Sequence, residues 1–207
     1  MRDLNMIPKL SDEHMSGNEQ FTLNGQETDL TMLKYWRWHY SEVFDLQDTI
    51  AEYIVGKALG FHEAQNVGHW TLFDMLYRGW RIEVKETSYY HAWQKEGDKI
   101  SYQRSFRIPK TNSEYDYPDE PNRFERQNDI YVFCLNTGEN RKDSNPLQLE
   151  HWEFYVVPTR VINEQCGEGK SVSLSRIRKM VEMVSYDRLR STIDQIIDSE
   201  PVLSSKE

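Results

Sequence analysis

The chain has 207 residues, with 25 Lys+Arg against 34 Asp+Glu, a formal charge of −9. That balance excludes a protein that coats nucleic acid by bulk charge, since such binding needs many cations to neutralise phosphates. Hydrophobic residues at 38%, including six Trp and twelve Tyr, supply enough apolar surface for a core and exclude wholesale disorder.

Residues 1–26 lack periodicity and read as a flexible arm without a signal-peptide run. A single domain over 27–198 is expected to follow, with 199–207 as a frayed tail. From Thr28 to Phe44, the residues Leu30, Leu33, Trp36, Tyr40 and Phe44 recur at three- and four-residue steps and predict a helix. The same spacing assigns the aromatic-dense Trp36-Arg37-Trp38 to core packing. Asp45 is placed to cap a second helix from Leu46 to Leu59, which Gly60 ends. Its apolar positions are Leu46, Ile50, Ile54 and Ala58. Glu52 lies at the edge of that face, and Gly56, one turn later, leaves open space beside it.

Two strand-like segments, Trp70–Tyr77 and Trp80–Ser88, are joined at Arg78-Gly79. A polar connection from Gln94 to Lys99 leads to a short strand-like stretch near Ile100–Ile108. Residues 109–128, with three prolines and many charges, read as a long polar loop or flap. The apolar run Asp129–Leu135 suits a strand buried on both faces, with Asp129 in a structural role. Trp152–Val157 is a further strand, stopped by Pro158. Residues 175–198 return to helical spacing through Ile177, Val181, Val184, Leu189, Ile193 and Ile196–Ile197. The order predicts a mixed α/β domain. Cys134 and Cys166 stand far apart and read as reduced thiols of a cytoplasmic protein.

The second strand carries the chemistry. Trp80, Ile82 and Val84 alternate with Arg81, Glu83 and Lys85, so Glu83 and Lys85 share the face opposite the apolar trio. With Arg78-Gly79 as a two-residue hairpin loop, Tyr77 faces Trp80 and Asp74 falls opposite Glu83. Two carboxylates so placed repel unless a positive charge sits between them, and a divalent cation such as Mg²⁺ is the natural candidate. Lys85, one pleat on, is placed to hold an attacking water or neutralise a phosphate oxygen. An acid–acid–lysine set of this kind suits phosphodiester hydrolysis, which is largely positioning and electrostatic stabilisation.

Asp74, eight intervening residues, then Glu83-Val84-Lys85 resembles the signature of the PD-(D/E)XK, restriction-endonuclease-like nuclease superfamily. The segments AEYIVGKALG (51–60), W-x-x-x-D (70–74), RIEVKETSYYHAWQ (81–94), DIYVFCL (129–135), WEFYVVPTRVINE (152–164) and SVSLSRI (171–177) resemble a group of uncharacterised bacterial proteins assigned to it. The resemblance spans roughly Trp36 to Ile177. It implies a central mixed β-sheet flanked by helices, and a metal site of Asp74, Glu83 and the helix residue Glu52, with the Val84 carbonyl as a further ligand. It also implies Mg²⁺ or Mn²⁺ as cofactor, DNA as substrate, and a homodimer; a role in restriction or defence follows only by fold-level analogy. The chain departs from the family pattern in three places. Phe73 precedes the first acid where the motif has proline, and Glu86 and His91 stand where the related proteins have a small residue and a glutamine. Strand alternation turns Glu86 away from the site, and His91 is a phosphate-contact candidate.

Further nucleic-acid candidates are dispersed: Lys95, Lys99, Arg104, Arg107 and Lys110 after the site, then Arg123 and Arg126 in the loop. Tyr89, Tyr90 and Trp93 are candidates for stacking on bases. The six histidines (His14, His39, His62, His69, His91 and His151) show no zinc-ligand spacing. The rival expectation is a catalytically silent nuclease-fold module used for binding or assembly.

Overall fold

A computed structural model of the chain describes residues 15–40, 46–61, 72–91, 93–95, 97–112, 119–120 and 122–199. Phe44, Asp45, Trp70 and the histidines 14, 62 and 69 lie outside the described residues.

Six apolar residues in succession, Ile130–Leu135, need cover on every side, and Ile130–Asn136 (β8) supplies the centre of the sheet, with every residue buried. It pairs in parallel with Trp80–Ser88 (β4) and antiparallel with Trp152–Pro158 (β9). Met75–Tyr77 (β3) completes a four-stranded mixed sheet in the order β3-β4-β8-β9. Alternation of side chains along these strands divides the core into two faces. Ile82, Val84, Ile130, Val132, Phe154 and Val156 pack on the helices Gln47–Ala58 (α2) and Tyr186–Ser199 (α5). Tyr131, Phe133, Tyr155 and Val157 face the opposite way, onto Ile162 of Thr159–Cys166 (α3) and Ile177 of Leu174–Met180 (α4). The same layer takes Phe106 of Ser105–Arg107 (β5) and Val172 of Ser171–Ser173 (β10), which pair antiparallel. Full burial of a side chain such as Phe133 stabilises by roughly 2–3 kcal/mol.

The hairpin at Arg78-Gly79 forms as expected, with positive φ at both residues, 52° and 81°. Its tip is clasped to α5. Arg78 donates to Asp194 at 2.9 Å and Asp198 at 2.7 Å, and the Tyr77 hydroxyl to Asp194 at 3.0 Å.

Several expectations are corrected. Residues 20–31 are not an arm and the start of a helix: Gln20–Leu23 (β1) and Gln26–Thr31 (β2) form a hairpin around Asn24-Gly25, both at positive φ. Asn-Gly is a strong short-range hairpin signal, and it falls within the 1–26 segment expected to be an arm. The helix that follows covers only Met32–His39 (α1) and buries none of its side chains, with Trp38 75% exposed, so Trp36–Trp38 is not a core cluster. In α2 the buried positions are Gln47, Ala51, Ile54, Val55 and Gly56, while Phe61 and Met75 occupy the space beside Gly56. The helical run expected from 175 onward breaks at Val181–Ser185, where Val184 bridges to Phe154 in the sheet.

The 109–128 segment is also less of a free loop than its composition suggests. Thr111–Asn112 (β6) pairs with Phe124–Glu125 (β7), and Arg126 is buried. The Arg126 guanidinium donates to the carbonyls of Ile108, Gly167 and Gly169 and to Asn163 Oδ1. It staples three connections together and is not a phosphate contact. We expect Arg126→Ala, which strands those carbonyls, to destabilise the fold by about 3 kcal/mol in urea unfolding; a loss below about 1 kcal/mol would argue against the staple.

Candidate active-site cleft

β3 ends at Met75 going toward its N-terminus, whereas β4 runs on to Ser88, so β3 covers only the first part of β4's edge. Pairing of Met75 with Ile82 and Tyr77 with Trp80 sets the register that brings Asp74 to Glu83. Asp74 itself stands one residue before the strand and donates its N–H to the Ile82 carbonyl at 3.0 Å. Its carboxylate then turns onto the bare edge, where Oδ2 accepts the Val84 N–H at 2.6 Å. N–H and C=O of one residue project to the same side of an extended strand, so the Val84 carbonyl faces this edge too.

Glu83 and Lys85 lie on the face of the sheet that carries Tyr131 and Phe133, their register partners in β8. Lys85 Nζ forms an ion pair with Glu83 Oε1. Glu52 reaches the group from α2, across the free edge, and with Glu83, Val84 and Lys85 it lines an open cleft of about 520 Å³. The structure therefore brings Glu52, Asp74, Glu83, Lys85 and Val84 to one place.

The electrostatics follow from that crowding. Burial, then Asp74, pushes the Glu83 carboxyl up to about 7, against the pull of Lys85. Burial, then Asp74 and Asp48, raises Glu52 to about 7. Asp74 is raised by burial, partly offset by its bond from Val84 N–H and by Lys85. Lys85 is the positive charge that all three feel. Three ionised carboxylates beside one ammonium leave an excess of negative charge that a divalent cation with oxygen ligands would neutralise. In donor type and charge the group fits such an ion. In position it is not a closed ligand set: among the described residues no three His, Cys, Asp or Glu side chains are gathered so as to hold a metal. Glu83 is held by Lys85, and one oxygen of Asp74 by Val84 N–H.

Glu86 departs from expectation. It follows the alternation onto the α2 face, yet it still borders the cleft, alongside Asp48. Burial, then Asp48, raises its carboxyl to about 8. Asp48 was missed in the sequence although it lies one helical turn before Glu52 and so shares its face. Gln127 was missed as well: it is buried, lines the cleft, and its amide oxygen meets no donor among the described residues. No local pattern marks it, because it comes from a connection folded back over the sheet.

The expected nucleic-acid contacts scatter. Arg107 lines the cleft. Arg104 instead donates to the carbonyls of Ser88 and Tyr89 at 2.6 and 2.7 Å, securing the end of β4. Tyr89 and Tyr90 are buried and unavailable for stacking. His91 does not line the cleft; its Nδ1 lies 3.3 Å from Ser88 Oγ and its ring stacks on the exposed Trp93. Lys95 is exposed, Lys110 pairs with Glu168, and Arg123 with Glu120 and Glu125. Asp129 holds the expected structural role: its Oδ2 accepts the Arg81 N–H at 2.9 Å. Both cysteines are free thiols, Cys134 in the core.

A carboxyl raised from 4.5 to about 7 favours the fold while protonated, so its contribution is complete below about pH 4.5 and lost as pH rises through 7. We expect Glu83→Gln, measured in EDTA, to gain thermal stability relative to wild type between pH 5 and pH 8, by at least about 1 kcal/mol. Equal pH profiles for the two proteins would contradict the crowding. No protein-family model matches the chain, and no curated protein matches it.

Proposed function

We propose that this chain is a metal-dependent nuclease of the PD-(D/E)XK type that hydrolyses phosphodiester bonds of DNA. The observation that carries the reading is the gathering of Glu83, Lys85 and Glu52 in an open cleft at the bare edge of β4, with Asp74 behind them on the Val84 N–H. Asp74, Glu83, Glu52 and the Val84 carbonyl would hold Mg²⁺ or Mn²⁺. Such an ion polarises the scissile phosphate and lowers the pKa of its bound water.

The chain's own groups do the rest. Lys85 leaves Glu83 to orient the attacking water or to neutralise a non-bridging phosphate oxygen as charge develops. Water oxygen bonds to phosphorus as the water gives up a proton to solvent, the bond to the leaving sugar oxygen breaks, and that oxygen takes up a proton from solvent. Arg107 lines the cleft and would meet the phosphate backbone there.

A second reading is a binding module that keeps the fold without the chemistry. One observation favours it: Lys85 is already engaged in an ion pair with Glu83. Two experiments separate the readings. Plasmid, linear duplex, single-stranded DNA and RNA are incubated with Mg²⁺ or Mn²⁺, and we expect cleavage that falls at least about 100-fold in Asp74→Ala and Lys85→Ala. Independently of turnover, millimolar Mn²⁺ should raise the wild-type Tm by several degrees and leave Asp74→Ala unmoved. Absence of both effects would leave the binding module as the better account.

A further inference from the structure

Eight of the fifteen large hydrophobic side chains exposed among the described residues fall between Met15 and Tyr40, the β1-β2 hairpin and α1. A lone hairpin and a helix of eight residues are each marginal in water, and α1 buries nothing to compensate. One side of α1 does have a neighbour. Trp36 and Leu33 close over Gly17, where a Cβ would come within 3.1 Å of the Trp36 ring and 3.3 Å of Leu33 Cβ. By helical spacing Lys34, Tyr35, Trp38 and His39 occupy the other side, with Arg37 at its margin.

The character of that outer side is specific. Its apolar groups are rings: Trp38 is 75% exposed and its ring centroid lies 6.5 Å from that of Tyr35, which stacks on His39 at 5.5 Å. Its charges are cations. In a chain of net charge −9, α1 holds Lys34, Arg37 and His39 and no acidic residue. Asp29 offsets Lys34 at 3.3 Å, so Arg37, at the margin of this side, is the remaining full positive charge of α1. Trp, Tyr and Arg are enriched at protein interfaces as well; what favours an anionic ligand here is the set of three basic residues on α1 with no acidic one among them. Flat rings interleaved with cations match a ligand that presents aromatic faces beside anions, which is an unpaired nucleic-acid strand.

We propose that α1 is a docking platform for single-stranded nucleic acid, in which Trp38 and Tyr35 stack on bases and Arg37 meets the backbone. Tyr40 and Gln47 are seven residues apart, so the chain allows at most about 25 Å between α1 and the start of the helix that carries Asp48 and Glu52. Delivery of a bound strand from α1 to the cleft rests on the nuclease reading, whereas the binding itself does not.

The test is fluorescence anisotropy of the full chain with a labelled 20-mer of thymidylate and a duplex of equal length, in EDTA so that cleavage plays no part. We expect the single strand to bind more tightly than the duplex, Trp38→Ala to weaken it roughly tenfold, and Trp38→Phe to restore most of the loss. Arg37→Gln should reduce the salt dependence of binding, which loss of a ring would not do. Equal binding of single strand and duplex, unchanged affinity in Trp38→Ala, or no binding by wild type would each overturn the proposal. A wild-type dimer that Trp38→Ala converts to monomer, with thymidylate affinity unchanged, would make this face a contact between two copies instead. In a separate assay with Mg²⁺, cleavage with no dependence on Trp38 would overturn delivery from α1 to the cleft and leave the nuclease reading standing.

Discussion

β4 is longer than the strand that covers it, and the consequences of that mismatch run through the molecule. A strand edge carries N–H and C=O groups that need partners, and Asp74 satisfies one of them by turning its carboxylate onto the Val84 N–H at 2.6 Å. That contact fixes Asp74 beside Glu83 and leaves room for Glu52 to approach from the helix. The short β3 is held in place by its hairpin, and the hairpin by Arg78 and Tyr77 on α5. The position of the acids is therefore set by backbone pairing and by a helix more than a hundred residues away in the chain.

The same geometry creates the electrostatic problem that the cleft has to solve. Burial removes water from Glu83 and Glu52 and each feels Asp74, so both carboxyls are pushed toward neutrality. Lys85 relieves part of this from one pleat away. An arrangement that raises the free energy of its own ionised state is primed to bind positive charge, because a cation recovers the electrostatic energy that the fold forgoes. Glu86 and Asp48 extend the acidity along the cleft on the helix side, which makes the whole wall of α2 part of the site.

Beyond the sheet, the chain divides its cations by task. Arg126 and Arg104 are spent on backbone carbonyls and hold connections together. Arg107 remains at the cleft. Arg37 stands on an exposed aromatic helix that contributes nothing to the core. An acidic protein can in this way keep positive charge local although its overall charge is negative.

Local pattern alone determined the strand Trp80–Ser88, its Arg78-Gly79 turn, the buried run ending at Leu135, the arrest of β9 by Pro158 and the pairing that aligns Asp74 with Glu83. These rest on period-two alternation, turn chemistry and proline geometry, all of which act between neighbours in the chain. The approach of Glu52, the presence of Glu86, Asp48 and Gln127 in the cleft, the engagement of Arg104 and Arg126, and the exposure of Trp38 were decided only by tertiary structure. Helical spacing marks Trp36–Trp38 as a packing face, but whether any surface meets that face depends on where the rest of the chain goes. A side chain's neighbours across the fold are set by packing of distant segments, which no local period encodes.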